Sequence, residues 1–138
     1  MEVVESADAL LQLARDVWAL EHEGANLSQT WYDFEAPEAG ALKRLNTLNG
    51  QALEKLERLA ESLDTRVRGA DDRDRPRLQH AYNLVQELIQ SRRAVHELIT
   101  AQLDGRRAFD EDFRALGLKE RAAEQLARKL CDTLTQIH

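Results

Sequence analysis

The sequence predicts an all-α protein, an elongated up-and-down bundle of four long helices, and three observations predict it. The 138 residues contain 22 Leu and 19 Ala but only 6 Val and 3 Ile, which favours helices over strands. Six Gly and two Pro are too few for the turns of an all-β sandwich or barrel. Apolar residues recur at steps of three and four, as on one face of a helix. We expect a single helical domain over residues 1–138.

The first helix is predicted to begin after Ser6, whose side chain suits an N-cap. Its apolar stripe consists of Val3, Ala7, Leu10, Leu11, Ala14, Val17 and Trp18, and the pattern resumes at Leu27, Trp31 and Phe34. The residue before a proline avoids helical backbone angles. We therefore expect one long helix, kinked near Gly24, that ends before Pro37.

The second helix is predicted to begin at Pro37 or Glu38, because proline suits a first helical turn. Its inward side follows a seven-residue repeat, with one series at Leu42, Asn49, Leu56 and Leu63 and a companion series at Leu45, Ala52, Leu59 and Arg66. Such a repeat indicates coiled-coil-like packing against neighbouring helices. We expect the polar Asn49 at the rim of this face, with a register-fixing position on the seam as the alternative.

Residues 69–76 read GADDRDRP and predict the clearest loop of the chain. Gly69 suits the end of the second helix, and Pro76 suits the first turn of the third. The third helix carries apolar residues on two seven-residue series, at Leu78, Val85, Ile99 and Phe113 and at Ala81, Leu88, Val95, Phe109 and Leu116.

The apolar phase of the third helix continues without a slip across Gly105, which favours one long or kinked helix as far as Leu116. The alternative is a break near Gly105 with a restart at residues 110–112, whose acidic side chains suit a helix N-terminus. We expect Gly117 to end this element. A fourth helix is predicted from about Leu118 to Gln136, with Ala123, Leu126, Leu130, Leu134 and Ile137 facing inward.

Charge is distributed unevenly along the chain. Residues 1–41 contain nine acidic residues and one basic residue, a charge of −8, whereas residues 42–138 contain 18 basic and 16 acidic residues, a charge of +2. Either the acidic first helix is a solvated surface beside a mildly basic remainder, or it meets a basic partner. Because binding to a nucleic-acid backbone needs a concentrated basic surface, we expect no direct nucleic-acid binding.

The compartment predicted from the sequence is the cytoplasm. The single cysteine, Cys131, cannot form an internal disulfide, and we expect it to be a small buried hydrophobe. The first 20 residues lack the basic start and unbroken apolar run of a secretory signal. No stretch of about 18 uncharged apolar residues exists, so we expect no membrane span.

The four histidines do not form a metal-binding pattern. The residues three before them are Ala19, Arg77, Arg93 and Thr135, so the Glu-x-x-His motif of di-iron bundles is absent. The sequence also lacks His-Glu-x-x-His and a pair of cysteines for zinc. We therefore expect no metal and no other cofactor.

Residues 75–80 read RPRLQH, and the spacing of Arg75 and His80 resembles the Arg-x4-His motif of helical ribonucleases of the HEPN superfamily. The resemblance covers six residues. It implies an RNA-cleaving enzyme in which Arg75 stabilises developing phosphate charge and His80 acts as acid or base. The structural alternative is a solvated loop arginine and a histidine on a helix surface.

Aromatic residues are concentrated near the end of the first predicted helix, where Trp18, Trp31, Tyr32 and Phe34 account for four of the seven. Trp31 and Phe34 can point inward together, which leaves Tyr32 near a boundary. These rings either cap one end of the bundle or form a partner-binding surface, because aromatic residues dominate interface energetics.

A second candidate surface lies on the predicted third helix. If that helix extends beyond its shorter neighbours, its end exposes the apolar residues Phe109, Phe113 and Leu116. Such an exposed apolar surface needs a partner. Arg92 and Arg106 interrupt its inward seam, and they either pair with acids of the first helix or face an open groove. The predicted partner-binding residues are therefore Trp31, Tyr32, Phe34, Arg92, Arg106, Phe109 and Phe113.

These features favour a non-enzymatic protein–protein interaction module, such as an adaptor, a regulator or a small chaperone that holds a helical segment in a groove. Small acidic all-helical bacterial proteins, such as flagellar and type III secretion chaperones, are similar in size and pattern. We expect a homodimer, formed by coiled-coil-like packing through the third helix, and a partner that is another protein, basic or helical. The alternatives are the ribonuclease and an acidic inhibitor of a nucleic-acid-binding protein.

Overall fold

Four helices form the fold of the residues that the structure describes. A computed structural model describes residues 6–29, 31, 39–103 and 110–137. Its helices are α1 (Ala7–Leu27), α2 (Ala39–Gly69), α3 (Arg75–Leu103) and α4 (Asp110–Thr135). Within these ranges no strand is present, so the predicted all-α class is confirmed. None of the helices in the described ranges is long and apolar enough to cross a membrane.

The helices pack as a closed ring in which α1 and α3 each lie between α2 and α4. A larger apolar cluster, the lower cluster, joins the first half of α1, the second half of α2, the first half of α3 and the second half of α4. A smaller one, the upper cluster, joins the opposite ends of the same helices. The chain direction therefore alternates from each helix to the next.

The seven-residue repeats predicted for α2 and α3 form most of the core. The apolar members of both series that lie within α2 and α3 are buried, at Leu42, Leu45, Ala52, Leu56, Leu59 and Leu63 in α2 and at Leu78, Ala81, Val85, Leu88, Val95 and Ile99 in α3. In α4, Ala123, Leu130 and Leu134 are buried as predicted, and Cys131 is a buried member of the lower cluster. Burial of these side chains is the main favourable contribution to folding.

The first helix is shorter than the sequence predicts. The Ser6 side chain accepts a hydrogen bond from the Ala9 N–H, which confirms the N-cap. At the other end, Ser28 leaves helical backbone angles, and its hydroxyl donates to the carbonyl oxygen of Gly24 at 2.8 Å. The Trp31 N–H then donates to the Ser28 carbonyl, so the chain turns. The prediction of one helix up to Pro37 is therefore wrong.

The third and fourth helices follow the alternative prediction. α3 ends at Leu103 and α4 begins at Asp110, so the long third helix is wrong; Gly105 itself lies outside the described residues. The spacing of apolar residues along the sequence is the same for one long helix and for two helices whose inward faces meet the same core. Gly117 does not end a helix but is buried within α4. Its cost in helix propensity, about 1 kcal/mol, is offset by the packing of α4 on α1 and α3.

The loop between α2 and α3 is confirmed and is held by its own side chains. One carboxylate oxygen of Asp71 accepts hydrogen bonds from the N–H groups of Arg73 and Asp74, at 3.1 and 3.0 Å. The Arg75 guanidinium donates to Asp72 and to the carbonyl oxygens of Ala70 and Val67. These bonds satisfy polar groups at the end of one helix and the start of the next.

We expect Asp71→Ala to lower the free energy of unfolding by about 0.5–2 kcal/mol, because two loop N–H groups lose their acceptor. Urea denaturation followed by circular dichroism measures this change. Asp72→Ala is the matched control: its carboxylate meets the exposed Arg75 side chain, and we expect its loss to stay below about 1 kcal/mol. Equal losses for the two variants would contradict the role given to Asp71.

Candidate functional site

A layer of polar side chains lies between the two apolar clusters of the core. It consists of Glu21 from α1, Asn49 from α2, Arg92 from α3 and Glu120 from α4, each no more than 1% exposed. On every helix this residue falls between members of the lower and the upper cluster. We refer to these four residues as the polar layer.

Arg92 is at the centre of the polar layer. Its Nη1 donates to Glu120 Oε1 at 2.7 Å, and its Nη2 lies 3.2 Å from Glu21 Oε2, an ion pair without hydrogen-bond geometry. The side-chain amide of Asn49 donates to the Arg92 carbonyl oxygen at 2.9 Å. The layer thus connects α3 to each of the other three helices.

The polar layer contains two carboxyl groups but one guanidinium group. Burial raises the pKa of Glu21 to about 8; the Arg92 charge opposes this, and the charges of Glu120 and Glu124 add to it. Burial also raises the pKa of Glu120, against the charge and hydrogen bond of Arg92. Among the described residues, neither Glu21 oxygen has a hydrogen-bond partner, nor has Glu120 Oε2. With both carboxyl groups ionised, the layer would carry one unbalanced negative charge.

Gly24 makes room for the polar layer. A Cβ atom at this position would lie 2.6 Å from Glu120 Oε2 and 3.3 Å from Leu45 Cδ1. The first distance is shorter than real Cβ contacts allow, so only glycine lets the Glu120 carboxyl group approach the α1 backbone this closely. The glycine therefore serves a close approach between α1 and α4, and the kink near Gly24 stays a prediction.

Outside the layer, polar side chains line the seam between α1 and α4. His22 Nδ1 lies 2.7 Å from Glu124 Oε1, and His22 Nε2 lies 3.2 Å from the Asn26 amide nitrogen. A surface cavity of about 250 Å³ follows this seam, lined by Ala25, Asn26, Gln29, Gly117, Arg121 and Glu124. Its amide, guanidinium and carboxylate groups can form hydrogen bonds with polar groups of a ligand or partner.

Two exposed apolar side chains lie on the two helices that form this seam. In the described part of the chain, the exposed large hydrophobic residues are Trp18 at 38%, Leu103 at 38% and Leu118 at 53%. Trp18 of α1 is one helical turn before His22 of the seam, and Leu118 of α4 is one turn before Arg121 of the cavity lining. We call the surface formed by Trp18, His22, Leu118 and Arg121 the α1–α4 face.

The acidic residues of α1 meet basic residues of their own chain. Glu23 binds Arg44 of α2 at 2.6 Å, and Asp16 lies 3.9 Å from Lys55. A cavity of about 570 Å³ between α1 and α2 is lined by acidic and basic side chains together. This pairing favours the first interpretation of the charge pattern, an acidic helix beside a mildly basic remainder, over an acidic surface that imitates nucleic-acid phosphates.

The predicted partner-binding residues fall into two groups. Tyr32, Phe34, Arg106 and Phe109 lie outside the described residues. Trp31 is buried in the upper cluster. Arg92 contacts Glu21, an acid of the first helix, which is the first of the two predictions made for Arg92. The open groove that was the other prediction for Arg92 is wrong, because the side chain is enclosed by four helices. Neither Trp31 nor Arg92 is accessible to a partner.

Two further predictions about buried residues need correction. Leu116 is fully buried and Phe113 packs partly buried against the upper cluster, because α4 turns back into the bundle instead of prolonging α3. The predicted exposed apolar end is therefore wrong for Leu116. Asn49 lies on the seam and not at the rim, because its amide has an acceptor in the Arg92 backbone.

Arg75 and His80 do not form a common site. The three hydrogen bonds of Arg75 hold the α2–α3 loop, and the His80 side chain is exposed. Two residues five apart on a helix diverge by roughly 140°. The geometry therefore favours the structural interpretation of both residues. In the described ranges, no group of three His, Cys, Asp or Glu is arranged to hold a metal.

Neither Glu21 nor Glu120 is predicted from the sequence as a functional candidate, and Trp18 is predicted to lie in the core. The signal for both glutamates is their position within a stripe. Glu21 is seven residues after Ala14, and Glu120 is three residues before Ala123, so each occupies an inward position. A charged residue at such a position indicates a buried partner of opposite charge.

Comparisons with known proteins identify no relative of this chain. No protein-family model matches the chain, and neither a curated protein nor a solved structure is significantly similar to it. What the chain can do follows from the polar layer and the α1–α4 face.

We expect Arg92→Met to lower the free energy of unfolding by about 3–5 kcal/mol, because it leaves two buried carboxyl groups without their cation. Chemical denaturation measures the loss. The neighbouring Arg93→Met is the matched control, since this exposed side chain lies 3.8 Å from Glu57, and we expect a change within about 1 kcal/mol. A loss for Arg92→Met as small as the control's would contradict the central role of Arg92.

We expect Gly24→Ala to lower the free energy of unfolding by about 1–3 kcal/mol, because the added methyl group displaces the Glu120 carboxyl group. Thermal and urea denaturation measure the change. The control is Gly50→Ala in α2, where an added Cβ meets open space, and we expect a gain of up to about 1 kcal/mol from helix propensity. A gain in both variants would show that the Gly24 position is not constrained.

Proposed function

We propose that the protein is a non-enzymatic interaction module that binds a helical segment of another protein on the α1–α4 face. The observation that carries the proposal is the exposure of Trp18 on a helix whose inward side is filled by other residues. Tryptophan is among the residues most enriched where interfaces derive their binding energy. An exposed tryptophan on this face is therefore a candidate anchor for a partner.

The composition of the α1–α4 face supports a protein partner. Trp18 on α1 and Leu118 on α4 provide apolar contacts, while Asn26, Gln29 and Arg121 of the cavity lining provide hydrogen-bonding groups. This combination of apolar anchors and a polar surround is the usual anatomy of a protein interface. A partner helix presents apolar side chains three, four and seven residues apart, which matches an elongated face along two packed helices.

The same features support a proposal for the class of module. We propose an adaptor, a regulator or a small secretion-type chaperone that works in the cytoplasm and whose client is a helical segment. A second copy of the chain is the other occupant that the face can accept, through coiled-coil-like packing of α1 and α4 against their counterparts. The role of Tyr32, Phe34, Arg106 and Phe109 in binding stays a prediction.

We expect the double variant Trp18→Ala, Leu118→Ala to weaken partner binding by roughly 30-fold or more, as for the loss of an interface anchor. The partner is first captured from the native host with the tagged protein and identified by mass spectrometry. Its dissociation constant is then measured with purified components by calorimetry. Light scattering of the protein alone shows whether a second copy occupies the face.

The matched control for this experiment is Leu103→Ala. Leu103 is as exposed as Trp18 but lies at the end of α3, away from the α1–α4 face. We expect it to bind the partner like the wild type, with all variants retaining their helical circular dichroism. If the double variant and the control bind equally well, the α1–α4 face is not the binding surface.

A further inference from the structure

The charges of the polar layer do not balance unless one carboxyl group is neutral. Glu21 and Glu120 are both enclosed, and Arg92 supplies one positive charge between them. An unpaired carboxylate is costly in a protein interior, so such a group takes up a proton instead. We propose that the polar layer is a binding site for a single proton, which is held by the Glu21 carboxyl group and released as the solution becomes alkaline.

The contacts of the two carboxyl groups indicate which of them holds the proton. Glu120 Oε1 accepts a hydrogen bond of 2.7 Å from Arg92 Nη1, and this contact stabilises its ionised form. Glu21 has the longer 3.2 Å approach to Arg92 without hydrogen-bond geometry. Glu120 is therefore the ionised partner of Arg92, and Glu21 is the neutral acid.

Two of the charged groups around Glu21 also favour its neutral form, and Arg92 opposes them. From α4, the carboxylates of Glu120 and Glu124 disfavour a further negative charge; from α3, Arg92 favours it. α2 contributes the uncharged Asn49 to the layer, and on α1 itself His22 contacts Glu124. Burial is the largest effect and, with the two glutamates, outweighs Arg92, which agrees with the raised pKa of Glu21.

Proton binding makes folding depend on pH in a defined direction. Between the ordinary pKa of 4.5 and about 8, the folded chain holds a proton at Glu21 that the unfolded chain has released. Unfolding then releases one proton, so its equilibrium constant rises about tenfold for each pH unit. The stabilisation is complete below the ordinary pKa and is lost as the pH rises through about 8.

The experiment is urea denaturation from about pH 5 to about pH 8 for the wild type, Glu21→Gln and Glu23→Gln. We expect the wild-type unfolding constant to rise about tenfold per pH unit, with the same slope in Glu23→Gln, which changes an exposed carboxylate paired with Arg44. Glu21→Gln cannot ionise and should lose this slope. A slope unchanged in Glu21→Gln, or missing in the wild type, would overturn the proposal.

A second measurement does not depend on the folding of a variant. In the wild type labelled with carbon-13 at the glutamate carboxyl carbons, nuclear magnetic resonance should show one carboxyl group that titrates near pH 8. In Glu120→Gln, Arg92 neutralises Glu21 instead, and this titration should move to lower pH. Titration of every wild-type glutamate below about pH 6 would refute the proton site. Persistence of the high titration in Glu21→Gln would refute its assignment to Glu21.

Discussion

The contact of Arg92 with Glu120 and Glu21 fixes how the four helices are placed against one another. Seven-residue repeats of leucine and alanine allow neighbouring helices to slip by a whole repeat while keeping apolar faces together. A slip of α4 by one repeat would move Glu120 away from Arg92 and bring Phe113 or Ala127 to that level. The buried guanidinium would then lose its hydrogen-bonded partner, which makes such arrangements costly.

Specification of the register has a cost in stability. One guanidinium group and two carboxyl groups leave water to form the polar layer, and the interactions between them offset this loss only in part. The apolar clusters above and below the layer provide the remaining stabilisation. Gly24 adds a local contribution, because the absence of a side chain lets the Glu120 carboxyl group reach its position beside α1.

Features of this structure that depend on residues close together in the sequence are predictable from it, and features that depend on distant residues are not. The inward series of α2 and α3 and the loop between them depend on local periodicity and on Gly69 and Pro76, and these predictions hold. The positions where α1 and α3 end depend on how the following segment packs against the bundle. The spacing of apolar residues alone does not determine these positions. Glu21 and Glu120 are recognisable only with Arg92, because three helices distant in sequence bring them together.

Trp18 and Glu21 of α1 occupy the opposite locations to those that hydropathy predicts, and they belong to the two candidate sites. Trp18 directly follows the fully buried Val17 and is turned about 100° from it, whereas Glu21 follows Val17 by four residues and shares its inward side. Hydropathy alone would bury the tryptophan and expose the glutamate. The approach of Glu21 to Arg92 in the polar layer therefore accompanies the exposure of Trp18 at the α1–α4 face.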